Sequence, residues 1–365
     1  LTFSSSTEGV HTITEILSEP QTWTQCLSEL LDSGQLAKIK EKLNKNVEWI
    51  FVGCGSSFYL AQIAASSWSG LTGRPARAIP ASEILLFPEL FPAPCQPVFI
   101  SRSGRTSEIV EAAQYAESDL GLQSLAITCG TGTPIEEICS NVIRLSPADE
   151  KSTVMTRSFT SMLIALQALA ADRASNKGFL TSLRTLPTQV APRLDGMQAT
   201  VRSLVDKRTY ADYVFLGQGP FFGVAQESML KLKEMSCSYA QAFHTLEFRH
   251  GPKAIVSPET LLTFFLSESG FAEEISVLQE MKKLGGTTFV ISNSINAAIR
   301  ASADYSIELS LDVPEVARAA AAVIAGQLLG FYTGMRKGFN PDRPRNLSRV
   351  VMLDGRDGGS HRATT

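Results

Sequence analysis

Two sets of residues in this 365-residue chain have the types and spacing to do chemistry. The first is "SRSGRTSE", residues 101–108. Ser101, Ser103 and Thr106 offer three hydroxyls, Gly104 lets the backbone turn, and an amphipathic run follows at once. Hydroxyls beside the unpaired N–H groups of a helix start suit a phosphate dianion. Arg102 and Arg105 could add charge. An ordinary polar turn that caps its helix has the same composition, so the loop alone leaves both readings open.

The second set could move protons. A helix is expected over about Pro220 to Cys237, with Phe222, Ala225, Met229 and Leu232 on an apolar arc. Glu227 and Glu234, seven residues apart, fall within about 20° of each other at the edge of that arc. The pair fits a solvated face as well as an acid–base site. Further on, "EFRHGP" puts His250 in a Gly-Pro turn, where a histidine is either structural or a proton-transfer group. His244 is ambiguous, and no role is assigned to His11 and His361 in the terminal segments.

An internal repeat supplies the elements that must position these groups. "FVGCGSSFYLAQ" at 51 returns as "FLGQGPFFGVAQ" at 215, and "ISRSGRTSEI" at 100 returns as "LSESGFAEEI" at 266. "SLAIT" at 124 is matched by "TFVIS" at 288. Three blocks in one order at nearly constant spacing imply two copies of one α/β unit. Within a copy, apolar runs (Trp49 to Gly53, Val98 to Ser101, Leu125 to Thr128, Val142 to Leu145) alternate with amphipathic ones, which predicts doubly wound parallel sheets with helices on both faces. The expected division is a helical segment 1–46, a first module 47–175, a polar helical connector 176–206, a second module 207–340 and an irregular tail 341–365.

In such sheets ligands sit outside the carboxyl ends of the strands, where both Gly-x-Gly turns and both Ser-Gly loops fall. Phe58 and Phe222 replace the third glycine of a dinucleotide fingerprint, and no G-x-x-x-x-G-K-[ST] occurs. In the second copy Glu268 and Ala272 stand for Arg102 and Thr106. An added carboxylate repels phosphate, so one phosphate site is expected, in the first copy, with Ser56 and Ser57 facing it.

With 33 basic and 36 acidic residues the net charge is −3, which gives no reason to expect nucleic acid or an anionic membrane as partner. Six scattered cysteines without a C-x-x-C pair, and four histidines without zinc spacing, predict no structural metal and a reducing, cytoplasmic location. The first twenty residues carry Glu8, Glu15 and Glu19 and no apolar core, so no signal peptide is expected. Ala319 to Met335 lacks charge but holds glycines and polar residues, and reads as a buried helix.

Taken together, "CGSS" at 54, "SRSGRT" at 101, "TRSFT" at 156, "LKLKE" at 230, "EFRHGP" at 247 and "PRNLSR" at 344 resemble the sugar isomerase (SIS) family. The match is to its double-domain members: the isomerase half of glucosamine-6-phosphate synthase and stand-alone hexosamine-phosphate deaminases and isomerases. The resemblance spans roughly residues 45 to 350. It implies two tandem SIS domains, each a Rossmann-like three-layer α/β unit. It implies that Ser57, Ser101, Arg102, Ser103 and Thr106 hold a sugar phosphate, and that Ser56 and backbone near Thr153 and Ser348 contact the sugar. Glu227 joins the substrate-binding set. Glu234 would carry a proton between C1 and C2 through an enediol, and His250, from the neighbouring subunit of a homodimer, would open the sugar ring. Neither step needs a cofactor.

Arg102 and Arg105 depart from the family's glutamine and glutamate, and both changes favour an anion. Arg349 replaces a lysine that can form an imine. A guanidinium stays protonated and cannot act as an amine nucleophile, so Arg349 is expected in the catalytic site only as a binder of an oxyanion or hydroxyl. The synthase's glutaminase domain has no counterpart in this sequence, so exchange of free ammonia is expected. The expected reaction is deamination of an amino-sugar 6-phosphate coupled to isomerisation. A simple isomerase, a deglycase and a non-catalytic sugar-phosphate sensor are the alternatives.

Overall fold

The structure, a computed structural model, describes residues 8–44 and 46–352. Its strands are short runs rich in Ile, Val, Leu and Phe, most buried on both faces, as a parallel sheet between helix layers requires. In the first module β1 (Glu48–Gly53), β2 (Ala76–Pro80), β3 (Cys95–Ile100), β4 (Leu125–Thr128) and β5 (Asn141–Arg144) form a parallel sheet in the order β2-β1-β3-β4-β5. In the second, β6 (Asp212–Gly217), β7 (Ala240–His244), β8 (Thr260–Phe265), β9 (Thr287–Ser292) and β10 (Tyr305–Glu308) repeat that order as β7-β6-β8-β9-β10. The registers agree too: Val52 lies opposite Phe99, and Leu216 opposite Phe264.

The periodicity analysis lacks β2 and β7. Both are edge strands with half-buried residues and polar interruptions such as Arg77 and Gln241, so neither reads as an apolar run.

Four helices, Ser56–Thr72, Arg157–Arg173, Pro220–Ser236 and Ala319–Arg336, share one core with the inner faces of both sheets. Separate clusters fill the outer faces under the Ser107–Gln114 and Phe271–Lys283 helices. Apolar on all sides, Ala319–Arg336 is long enough to cross a membrane when extended over its preceding turn, yet 94% of that window is buried inside the fold. Its glycines allow close approach to the Pro220–Ser236 helix: a Cβ on Gly330 would lie 2.8 Å from the Lys231 carbonyl oxygen.

The N-terminal segment folds as helices Val10–Leu17, Glu19–Asp32 and Gln35–Lys42, and the Trp23 indole N–H donates to Thr160 Oγ1 at 2.8 Å. The connector is two helices, Lys177–Val190 and Leu194–Lys207. They are amphipathic, burying Phe179, Leu183, Met197 and Val201 rather than standing free. The tail runs without regular structure to residue 352 and returns to the N-terminus, where Asp342 accepts from Thr12 N at 2.8 Å. Residues 353–365 of the expected tail lie outside the described residues.

Candidate active site

The reversal of strand order between β1 and β3 opens a crevice at their carboxyl ends, the usual ligand position in this kind of sheet. A cleft of ≈ 240 Å³ lies there. Gly53 and Gly55 make its floor: a Cβ on Gly53 would sit 2.3 Å from the Ser57 carbonyl oxygen, and Gly55 has φ +54°. The turn therefore delivers Ser56 and Ser57 to the cleft at the start of the Ser56–Thr72 helix.

The loop 101–106 forms a second wall. Gly104, at φ +64°, turns the chain, and its N–H donates to Ser101 Oγ at 3.1 Å. Ser101 is buried beneath the loop and shapes it, with its hydroxyl 3.4 Å from Thr106 Oγ1, whereas Ser103 and Thr106 line the cleft. Two hydroxyls at the entry of the Ser107–Gln114 helix make the geometry of an oxyanion cradle.

Arg102 lines the cleft beside Ser103 and Thr106. It is 6% exposed, and its guanidinium is already engaged: with the Glu150 carboxylate at 3.4 Å, and with the carbonyls of Thr153 at 3.0 Å and Arg349 at 2.9 Å. Arg105 is exposed and donates to the Gly132 carbonyl at 2.8 Å. Thr153, Ser348 and Arg349 do line the cleft. The Arg349 guanidinium pairs with Asp149 at 2.6 Å, so its charge is shared with a carboxylate.

At the back of the cleft lies a charged triad the sequence reading half saw. Lys231, fully buried on the Pro220–Ser236 helix, is hydrogen-bonded to the Glu234 carboxylate, stands 3.3 Å from Glu227 and donates to Ser56 Oγ at 3.1 Å. Glu234, its side chain 17% exposed, lines the cleft; Glu227, wholly buried, lies below it and is not among the lining residues. Neither residue sits on a solvated face. The signal for Lys231 was its spacing, four residues after Glu227 and three before Glu234, which stacks all three on one helix face.

Burial pushes the Glu227 carboxyl up to about 8, with the neighbouring Glu234 charge adding to the effect and Lys231 opposing it. Burial alone would lower the Lys231 ammonium, but the two carboxylates outweigh it and hold the amine above its ordinary range. Glu227 is thus shifted toward its neutral acid beside the Lys231 cation, and Glu234 is the carboxyl group of the triad that reaches the cleft.

Cys54 also lines the cleft, but burial, with Glu108 nearby, pushes its thiol to about 12, so no thiolate forms there near neutrality. His250 is exposed and does not line the cleft of its own chain. His244 stacks on Phe222 with ring centroids 3.7 Å apart, and burial lowers its pKa.

The counterpart loop of the second module is filled from within. Glu274 accepts from Ser267 N and Oγ, both at 2.7 Å, and Glu315 accepts from Ser269 Oγ at 2.6 Å and from the Glu268 N–H. Glu268 pairs with Arg318, the reverse of the Arg102–Glu150 pairing in the first module. Carboxylates of the chain itself thus take the donors that a phosphate would need.

The comparison with known proteins agrees with the duplicated α/β module. The SIS domain profile matches residues 42–171 and 212–330. The chain belongs to the SIS domain family. It is 31% identical over 336 residues to the glutamine–fructose-6-phosphate aminotransferase (isomerizing) of Pseudomonas syringae pv. tomato, covering 88% of this chain and 53% of that protein. The chain thus spans about half the length of the curated relatives it matches. The glucosamine-6-phosphate deaminase of Thermotoga maritima superposes with a TM-score of 0.76 at 26% identity, over 94% of this chain and 100% of that one. The tagatose-6-phosphate ketose/aldose isomerase of Escherichia coli gives a TM-score of 0.82 at 22% identity, over 97% and 99%, which shows a common fold. The two SIS segments coincide with the two sheets described above.

Proposed function

We propose that this SIS protein is a phosphosugar isomerase that moves a proton between C1 and C2 of a 6-phosphorylated amino sugar and releases ammonia. The observation that carries the reading is that Glu234, backed by Lys231, lines the same cleft as Ser103 and Thr106. A phosphate on the loop places the other end of an open-chain hexose toward the triad. Glu234 takes the proton from C2 of the aldose and returns it at C1 through an enediol-type intermediate. Lys231 holds Glu234 by a hydrogen bond and, through Ser56, orders the wall of the cleft next to the reacting carbons. With an amine on C2, the product is a C2 imine; water adds there, ammonia leaves, and the ketose phosphate remains. The names of the relatives, an aminotransferase acting on fructose 6-phosphate and a glucosamine-6-phosphate deaminase, support an amino-sugar substrate. Ring opening is assigned to His250 of a second copy in a homodimer, because His250 is exposed and does not line its own cleft.

The test is a panel of hexose and hexosamine 6-phosphates in heavy water, following deuterium at C1 and C2 together with ammonia. Deuterium entry with ammonia release is expected for one hexosamine phosphate. Exchange without ammonia reduces the reading to a simple isomerase, and binding without exchange replaces it with a sugar-phosphate sensor.

A further inference from the structure

We propose that Arg102 is the latch that holds the tail over the sugar cleft, and that it is not a ligand of the phosphate. This rests on the cleft assignment above. Residue type and position, a cation inside a phosphate loop that lines the cleft, point to an anion ligand, but the guanidinium is taken up by other partners. Its Nη2 donates both to the Thr153 carbonyl at 3.0 Å and to the Arg349 carbonyl at 2.9 Å, while Nη1 faces Glu150 at 3.4 Å and the Ser152 carbonyl at 3.5 Å. One planar fork therefore joins three segments that are distant in sequence: the phosphate loop, the 150–153 loop and the tail, 247 residues beyond Arg102.

The tail is pinned at a second point on the same loop. The Ser107 N–H, at the start of the following helix, donates to the Val351 carbonyl at 3.4 Å. Arg102 and Ser107 flank Ser103 and Thr106, so tail residues 349–351 lie against both shoulders of the oxyanion cradle. Between these points Val350 joins the cleft wall. The tail's own residues are largely exposed, Val351 at 53% and Leu347 at 44%, so burial of apolar surface does not keep it in place. Hydrogen bonds to the loop, together with the Arg349–Asp149 pair, do so.

Removal of the latch takes a cation from a buried carboxylate, which lowers stability, but leaves that carboxylate hydrogen-bonded. The Glu150 carboxylate accepts from Thr156 N at 2.6 Å, from Thr156 Oγ1 at 2.7 Å and from Ser158 N and Oγ, so it stays satisfied without Arg102. Arg102 is thus a positioning residue that sets the closed state of the tail, and through it the affinity for the sugar.

The test compares wild type with Arg102→Gln and Arg102→Lys. Tail exchange, the hydrogen–deuterium exchange of the Ser107 amide that donates to the Val351 carbonyl, is read without ligand, binding is measured with inorganic phosphate, and KM and kcat are measured on the sugar phosphate that the heavy-water panel identifies. The latch predicts that tail exchange speeds up about tenfold or more in both variants, the factor implied by losing a charge-assisted hydrogen bond. Phosphate affinity then stays within about twofold, and KM rises about tenfold with kcat changed far less. Lysine keeps a charge near Glu150 but cannot hold two carbonyls in a planar fork, so it serves if the glutamine variant does not fold. Unchanged tail exchange, or a tenfold loss of phosphate binding, overturns the latch. Exchange and phosphate binding need no sugar turnover, so they decide this point even if the isomerase reading fails.

Discussion

Lys231 Nζ lies 3.1 Å from Ser56 Oγ, so an ammonium carried by the second module reaches the Gly-x-Gly turn of the first. The cleft is therefore built by both copies of the repeat. The first supplies the oxyanion loop and the serines, the second supplies the buried triad, and the close packing of their helices sets the distance between them. Divergence of the two loops follows from this division of labour. Only the first retains open donors, while Glu274 and Glu315 close the second.

Replacing Glu234 with glutamine keeps size and hydrogen-bonding capacity but removes the proton acceptor. Deuterium entry into the substrate should fall about a thousandfold, within the usual range for loss of a general base. Binding of inorganic phosphate, measured calorimetrically, should not change. Wild-type exchange rates in Glu234→Gln would refute the assignment.

Lys231→Met should destabilise the protein by about 3 kcal/mol in denaturant titrations, because it strips two buried or half-buried carboxylates of their cation. A second change, Glu227→Leu, should restore much of that loss by replacing the remaining buried polar group with apolar volume. The double variant should be folded and inactive, which separates the triad's catalytic part from its structural one.

Glu227 carries a pH signature. Its folded value of about 8 lies above the 4.5 of an unperturbed glutamate, so between these values the native state holds a proton that the unfolded chain has released. Stability from this group is fully present below about 4.5 and declines as pH rises toward about 8. Glu15, Glu19 and Glu274, also raised by burial, slope the same way, and Lys231 titrates above the window. The difference between wild type and Glu227→Gln isolates the group: melting temperature should fall less steeply from pH 5 to pH 8 in the variant. Parallel curves would show that Glu227 is ionised in the fold.

Ser103→Ala removes one hydroxyl from the oxyanion loop, and with it the acceptor of the Arg105 N–H at 3.2 Å, while Ser101 still holds the Gly104 N–H. KM for the sugar phosphate should rise about three- to tenfold, as expected for a hydrogen bond worth roughly 1 kcal/mol, with kcat nearly constant. A fall in kcat at unchanged KM would instead place Ser103 at the reacting carbons.

Much of the fold was legible because its signals are local. The apolar runs of β1, β3, β6 and β8, the paired Gly-x-Gly turns and the constant spacing of the repeat lie within windows where side-chain type alone decides conformation. β2 and β7 escaped because edge strands need no continuous apolar face. The connector looked polar because its buried stripe is narrow, and only the core it covers shows which face is inside.

For the site, local spacing singled out the candidate groups: the hydroxyls of Ser103 and Thr106, the Glu227–Glu234 pair and the serines after Gly55, but not Lys231 between the two carboxyl groups. Only the tertiary structure decided their state and direction. Glu227 is buried rather than solvated because its helix packs against both the Ser56–Thr72 and Ala319–Arg336 helices. Arg102 is engaged within the fold because Glu150 and two carbonyls from distant segments compete for its fork. A residue's type sets what it can donate or accept, but its charge and aim depend on dielectric and on partners, and both are created only when remote parts of the chain meet.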